Sequence, residues 1–156
     1  MTPATPPVRI AHLADHPHHL AMLAAWHQAQ FGYLNPSVTV EERTQRLRAS
    51  ARKGGLPVTF VAVCEDQLLG SASLLLRTVT HSHLSPWLSS VYVAPGYRDR
   101  GIGSALVRHA VQAAADMGIN KVYLFTPSSE ALYSRLGWKV VEQTEYQGHR
   151  LTIMCT

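Results

Sequence analysis

Residues 89–111 read SSVYVAPGYRDRGIGSALVRHAV, and this stretch joins an apolar run to a helical pattern through two closely spaced glycines. An apolar run typical of a buried strand ends at Pro95, and an alanine-rich helical pattern begins beside Gly101 and Gly103. A strand that enters a helix through a glycine turn leaves the first helical N–H groups unpaired, and the helix dipole adds partial positive charge there. The stretch therefore predicts an anion site of the kind that binds phosphate groups.

The residues around the glycines exclude two common phosphate-binding turns. A P-loop requires Gly-Lys followed by Ser or Thr, and no such triplet follows here. A dinucleotide-binding turn requires Gly or Ala where this chain has Leu106. Arg98 and Arg100 precede the glycines instead and add positive charge. The turn is thus predicted to bind a phosphate-bearing ligand of another class.

Strand-like and helix-like segments alternate along the rest of the chain in the order β-α-α-β-β-β-α-β-α-β-β. This order indicates a single α/β domain over residues 1–156, in which residues 1–7 form a flexible lead. Asp15 is expected to cap the first helix, and a second helix is expected to run from Val40 to Gly54. Hairpin turns are predicted at two places, residues 65–67 and 147–148.

Composition and charge argue against a membrane-spanning protein and against a nucleic-acid-binding protein. The chain has 46% hydrophobic residues and a formal charge of +4, and no apolar run approaches the roughly 20 residues that span a bilayer. The start, MTPATPP, lacks the apolar core of a signal peptide, so a cytoplasmic location away from membranes is expected. The arginine-rich residues 43–53 contain no aromatic platform, so they indicate a solvated helix face and no nucleic-acid partner.

Two motifs resemble those of the GNAT superfamily of N-acetyltransferases. VYVAPGYRDRGIGSAL, residues 91–106, is similar to that family's acetyl-CoA motif, with Arg98, Gly101 and Gly103 at its matching positions. LYSRLGW, residues 132–138, resembles the family's second signature. The resemblance implies a mixed, mostly antiparallel central sheet that is splayed between strands 4 and 5 and flanked by four helices.

The same resemblance implies a set of coenzyme-binding residues for acetyl-CoA. Backbone N–H groups would bind the pyrophosphate, and the exposed edge of the fourth strand would pair with the pantetheine arm, leaving the thioester near Ser90 and Val91. Many relatives have an asparagine where this chain has Thr126, so Thr126, Ser128 or Ser129 is expected to replace that contact. The pyrophosphate residues are Arg98, Asp99, Arg100, Gly101, Ile102, Gly103 and Ser104, and the pantetheine residues are Val91, Tyr92 and Val93.

The resemblance also implies catalytic roles. Tyr133 matches the tyrosine that protonates the departing thiolate, a role that suits a phenol O–H. Many relatives carry a carboxylate base before or on the fourth strand, but residues 77–97 contain neither Asp nor Glu. Four alternatives for removing the amine proton stay open: His81, His83, Glu145, or water held by Ser89 or Ser90.

The acceptor amine is the least specified feature. Phe31, Tyr33, Trp87, Ser89 and Tyr146 are expected to line its side of the cleft. A small amine, an amino acid and a peptide N-terminus all remain open, as do a monomer and a homodimer. The competing interpretation is a non-catalytic acyl-CoA-binding module.

A metal is not expected from the sequence. The chain has nine histidines, including the run HPHH at residues 16–19. No cysteine or carboxylate lies at ligand spacing from that run, so the prediction is that no metal binds.

Overall fold

The computed structural model describes residues 7–156, so most of the predicted lead lies outside the described residues. A seven-stranded sheet forms the centre, in the order β1-β2-β3-β4-β5-β7-β6. Every neighbouring pair is antiparallel except β4 and β5, which are parallel. The strands are β1 (Arg9–His12), β2 (Val58–Cys64), β3 (Gln67–Leu75), β4 (Trp87–Val93), β5 (Tyr123–Thr126), β6 (Lys139–Tyr146) and β7 (His149–Cys155).

Four helices cover the two faces of the sheet, as predicted. They are α1 (Leu20–Phe31), α2 (Val40–Ser50), α3 (Ile102–Asp116) and α4 (Glu130–Arg135). Because side chains alternate along a strand, Phe60 and Ala62 of β2 join the core under α3 and α4. Val61 and Val63 join the second core, which α1 and α2 cover. No helix within residues 7–156 is long and apolar enough to cross a membrane.

The start of the first helix differs from the prediction. Two short 3₁₀ turns, Leu13–Asp15 and Pro17–His19, precede α1, and His19 occupies its N-cap position without a side-chain cap. Asp15 does not cap the helix, because it lies four residues before the N-cap position and forms an ion pair with Lys53 at 2.9 Å. The histidine run is therefore folded into a tight turn just before α1.

The second helix begins as predicted but ends earlier. Thr39 caps α2 by accepting a hydrogen bond from the Glu42 N–H at 3.1 Å. The helix ends at Ser50, before the two glycines, and the Ser50 hydroxyl bonds to Thr59 of β2 at 2.7 Å. Both predicted hairpin turns are present: Glu65 and Asp66 have positive φ angles of 49° and 68°, and Gln147 and Gly148 have 47° and 80°.

The parallel strands β4 and β5 meet only at their beginnings. Their single registered pair is Trp87 with Tyr123. Trp87 is fully buried there, and its indole N–H donates to the Leu84 carbonyl at 2.7 Å. Beyond this point β4 keeps β3 as its ladder partner on one side only. The far half of β4 therefore faces a gap in the sheet, which confirms the predicted splay.

Candidate active site

The turn between β4 and α3 presents unpaired N–H groups. Gly101 is the N-cap of α3, with a φ of 81° that an L-residue rarely adopts. The first backbone bond of the helix joins the Ala105 N–H to the Gly101 carbonyl at 3.0 Å. The N–H groups of the three residues between them consequently have no partner within the helix. This end of α3 has the form of an anion site.

Two arginines border this turn. The Arg98 Nε–H donates to the Val93 carbonyl at 2.8 Å, and its guanidinium lies 5.6 Å from the Tyr92 ring centroid. The Arg100 guanidinium lies 5.5 Å from the ring centroid of Tyr97. Both arginines are exposed, so their positive charge adds to that of the helix end.

A β-bulge interrupts β4 opposite Ala72. Tyr92 pairs with Ser71 of β3, and Ser89 pairs with Ser73. Two residues of β4, Ser90 and Val91, therefore lie opposite the single residue Ala72. Ser90 has a positive φ of 53°. Its carbonyl accepts a hydrogen bond from the Ser71 hydroxyl at 2.9 Å. The bulge turns the backbone of β4 at the position where the thioester was expected.

A groove of about 370 Å³ joins these features to α4. It brings together residues from both sequence motifs. It also includes Gln30, Tyr97 and Leu132, which sequence reasoning did not assign to the coenzyme. The groove is lined by Gln30, Val91, Tyr92, Val93, Tyr97, Arg98, Asp99, Gly101, Ile102, Gly103, Ser104, Ser129, Leu132 and Tyr133.

Two predicted coenzyme residues lie outside this lining, Arg100 and Thr126. Thr126 is buried, and its hydroxyl oxygen accepts hydrogen bonds from the N–H groups of Ser129 and Ser128, at 2.9 and 3.3 Å. This side chain closes the turn before α4, whereas Ser129 itself borders the groove. Of the three suggested replacements for the asparagine, Ser129 is therefore the only one that borders the groove.

Tyr133 faces the groove from α4. Its residue surface is 8% exposed, and its ring meets that of Trp138 at 5.9 Å in an edge-to-face arrangement. Burial raises the pKa of Tyr133 to about 12. The phenol therefore stays protonated at neutral pH and is available as a hydrogen-bond and proton donor.

The candidate bases lie in a different region from the groove. His81 Nε2 is 2.5 Å from Glu142 Oε1 of β6, and the exposed His83 ring lies 5.7 Å from that of His81. Glu145 is exposed further along β6. None of these four residues lines the groove. Sequence reasoning missed Glu142, because nothing local relates β6 to the loop before β4.

Four of the five candidate acceptor residues are at least partly exposed, and the fifth, Trp87, is buried. Phe31 packs near Tyr92, with ring centroids 6.5 Å apart, and the exposed Tyr33 meets His149 edge-to-face at 5.2 Å. The segment that follows α1 thus reaches the β6–β7 hairpin on the other side of the splay. The partly buried Ser89 and Tyr146 also remain accessible.

Trp87 belongs to the core and not to this surface. Its side chain is fully buried, and its ring lies 5.8 Å from Tyr123 and 6.4 Å from Phe125. Because it fills the closed end of the splay, a ligand cannot reach it without separating β4 from β5. The expectation that Trp87 lines the acceptor site is accordingly corrected to a packing role.

Comparisons with known proteins agree with this geometry. A model described as "Acetyltransferase (GNAT) family" matches residues 20–138. An uncharacterized N-acetyltransferase of Chlorobaculum tepidum is 30% identical over 97 residues, which cover 62% of this chain and 59% of that protein. The streptothricin acetyltransferase of Streptomyces lavendulae is 31% identical over 96 residues, which cover 58% of this chain and 50% of that protein. The match thus spans 59% and 50% of the length of these two curated relatives.

A solved structure shares the fold over nearly the whole chain. An aminoglycoside 6'-N-acetyltransferase complexed with coenzyme A superimposes with a TM-score of 0.74. The superposition covers 95% of this chain and 96% of the other, at 15% sequence identity. At that identity the similarity shows the fold alone.

Proposed function

The chain belongs to the GNAT family of acetyltransferases, and on that premise we propose that it transfers the acetyl group of acetyl-CoA to a primary amine. The amine would attack the thioester directly while both substrates are bound. The observation that carries the proposal is the single groove that joins the N-terminal end of α3 to Tyr133. These two features come from motifs that are far apart in the sequence and have different chemical tasks.

The groove supports a definite placement of the coenzyme. The N–H groups of Ile102, Gly103 and Ser104 would bind the pyrophosphate, with Arg98 adding charge at the rim. The pantetheine arm would lie along β4, whose backbone beyond Trp87 has no partner strand on the splayed side. This placement brings the thioester toward the bulge at Ser90, where a backbone N–H could stabilise the developing oxyanion.

Tyr133 would act on the leaving group. As the carbon–sulfur bond breaks, negative charge develops on sulfur, and a positioned O–H can neutralise it by donating its proton. The high pKa of Tyr133 ensures that this proton is present when it is needed. The edge-to-face contact with Trp138 fixes the ring of the donor.

The amine proton must also leave, because an ammonium ion has no lone pair for attack. His81, His83, Glu145 and ordered water remain the proposed routes. The contact of His81 with Glu142 supports the first of these, since a carboxylate bound to one ring nitrogen fixes the orientation and the tautomer of the imidazole.

The acceptor is proposed to be cationic in solution, either a small amine or a peptide N-terminus. The carboxylates of Glu142 and Glu145 on β6 support this class, since they would attract an ammonium group. Two similar proteins are, by name, acetyltransferases of streptothricin and of an aminoglycoside. A cytoplasmic monomer or homodimer that acts without nucleic acid or membrane is part of the same proposal.

The decisive experiment is thiol release from acetyl-CoA with a panel of amines, with product masses as the second readout. An enzyme releases one CoA thiol for each acetylated amine detected. A non-catalytic acyl-CoA-binding module binds acetyl-CoA in calorimetry but releases no thiol with any amine. Release of thiol without an acetylated product would indicate hydrolysis and contradict the proposed transfer.

A further inference from the structure

Three histidines and an aspartate meet just before α1. The ligand-capable atoms of His16, His18, His19 and Asp66 all lie within 4.8 Å of one another. From Asp66 Oδ1 the distances are 2.9 Å to His18 Nε2, 3.6 Å to His16 Nδ1 and 3.6 Å to His19 Nε2. The aspartate comes from the β2–β3 turn, so only folding supplies this fourth side chain.

These distances suit a tetrahedral metal ion. Zinc bonds to nitrogen and oxygen of about 2.0–2.1 Å, at tetrahedral angles, place neighbouring ligand atoms roughly 3.3 Å apart. The three separations from Asp66 Oδ1 lie on either side of that value. Three imidazoles favour zinc and related transition metals over magnesium or calcium, which prefer oxygen ligands.

An unsatisfied nitrogen independently points to a ligand. His19 is 9% exposed, and among the described residues its Nε2 is buried without a hydrogen-bond partner. A buried polar atom without a partner destabilises the folded protein unless a ligand binds to that atom. The Nε2 faces the Asp66 carboxylate at 3.6 Å, so an ion between them would satisfy both. The exposed His18 and Asp66 leave a path for the ion to enter.

We infer that His16, His18, His19 and Asp66 bind one divalent transition-metal ion, and that zinc fits this ligand set best. Four protein ligands complete a tetrahedron and leave no open position, which is the arrangement of a structural site. The ion would clip the Pro17–His19 turn to the β2–β3 turn. None of the four ligands lines the coenzyme groove, so the site is independent of the proposed catalysis.

The test uses the full chain, purified without a polyhistidine tag and freed of metal with a chelator. Calorimetric titration with zinc chloride is expected to show one ion per chain with micromolar or tighter affinity. Zinc at about 100 times its Kd should raise the Tm by roughly 5–10 °C, because it binds only the folded chain. Cobalt(II) should bind at the same site and give the visible absorption of a tetrahedral complex.

Two variants and a matched control locate the ion. His18→Ala and Asp66→Asn should each weaken zinc binding by about 100-fold or more, since each loses one ligand. Asparagine tolerates the positive φ of this turn, so Asp66→Asn preserves the backbone. Glu65→Gln changes the neighbouring carboxylate of the same turn and should bind zinc as the wild type does. Circular dichroism without metal confirms that each variant is folded.

Three results would overturn the inference. The first is the absence of zinc binding by the wild-type chain. The second is unchanged affinity in both ligand variants. The third is an equal loss of affinity in Glu65→Gln, which would indicate nonspecific attraction by the turn's carboxylates.

Discussion

The imidazole of His27 lies 2.8 Å from the hydroxyl of Ser71, and that hydroxyl donates to the carbonyl of Ser90 in the β4 bulge. The Ser71 hydroxyl has one proton, which it donates to the Ser90 carbonyl. In its contact with Ser71, His27 must therefore be the donor, through Nε2–H. Burial, with a smaller effect from the charge of Arg43, lowers the pKa of His27 to about 4 and keeps the ring neutral. A buried chain of hydrogen bonds thus runs from α1 to the bulge.

Removing the middle of this chain should affect both stability and coenzyme binding. Ser71→Ala leaves the His27 donor and the Ser90 carbonyl without their shared partner, at a cost of about 1–3 kcal/mol in the free energy of unfolding. Because the bulge loses its anchor, the affinity for acetyl-CoA should also fall, as measured by calorimetry.

Ser73→Ala is the matched control for this change. Ser73 is also buried on β3, but its hydroxyl bonds to Thr59 at 2.7 Å, away from the bulge. It should lose stability without a comparable loss of coenzyme affinity. Equal affinity losses in the two variants would contradict a specific role for Ser71.

The neutral state of His27 makes stability depend on pH. Between about pH 4 and pH 6.5 the unfolded chain binds a proton at His27 that the folded chain does not. The stability that neutral His27 contributes is therefore fully present above pH 6.5, and it is lost as the pH drops toward 4. The loss should reach about 3 kcal/mol, measured by urea unfolding at each pH.

His27→Gln should flatten this dependence, because it keeps a donor for Ser71 but cannot be protonated. Partial burial also lowers the pKa of His109, so a residual slope of the same sign is expected in the variant. The difference between the two curves isolates His27. Identical slopes would show that His27 is not the residue responsible.

Gly103 tests the pyrophosphate assignment. A β-carbon at this position would meet only Val93 Cγ2 of the protein, at an ordinary 3.6 Å, so Gly103→Val should fold normally. The same β-carbon would intrude on the proposed anion site and weaken acetyl-CoA binding at least about tenfold. Gly96→Val is the control, since Gly96 has open space around it and does not line the groove. Unchanged affinity in Gly103→Val would disprove the placement.

Tyr133→Phe tests the proposed proton donor. The phenol would act chiefly in the transition state, so turnover should fall roughly 10²- to 10⁴-fold with little change in acetyl-CoA affinity. The ring and its contact with Trp138 are retained, so the Tm should move only slightly. An acyl donor with a more acidic thiol should recover part of the rate, because its sulfur needs protonation less. Full turnover in the variant would assign Tyr133 to packing alone.

The double replacement His81→Gln with His83→Gln tests the histidine route for the amine proton. It should lower turnover and remove one ionisation from the pH dependence of kcat/KM. Glu145→Gln, made in parallel, should leave that ionisation in place. If the histidine variant keeps the wild-type profile, the proton leaves through Glu145 or water.

Local sequence patterns predicted most of the fold, including the turn between β4 and α3. The turn at Gly101 and both hairpin turns were predicted correctly, because each depends on residues within a few positions along the chain. The first helix start was wrong, since Asp15 found Lys53 as a partner and the histidine run formed its own turn. Trp87 was wrongly assigned to the acceptor site, because an aromatic residue in a sequence does not show whether its side chain lies in the core or on the wall of a cleft.

Motif spacing and hydrophobic period are properties of the chain, so the order of elements and the resemblance to the GNAT family could be predicted from the sequence alone. Which distant side chains meet depends on the tertiary structure. Strand register brings Ser71 against Ser90, and a hairpin turn brings Asp66 to His16, His18 and His19. Such contacts follow from how the sheet pairs and how helices cover it, and no local pattern of residues encodes that pairing.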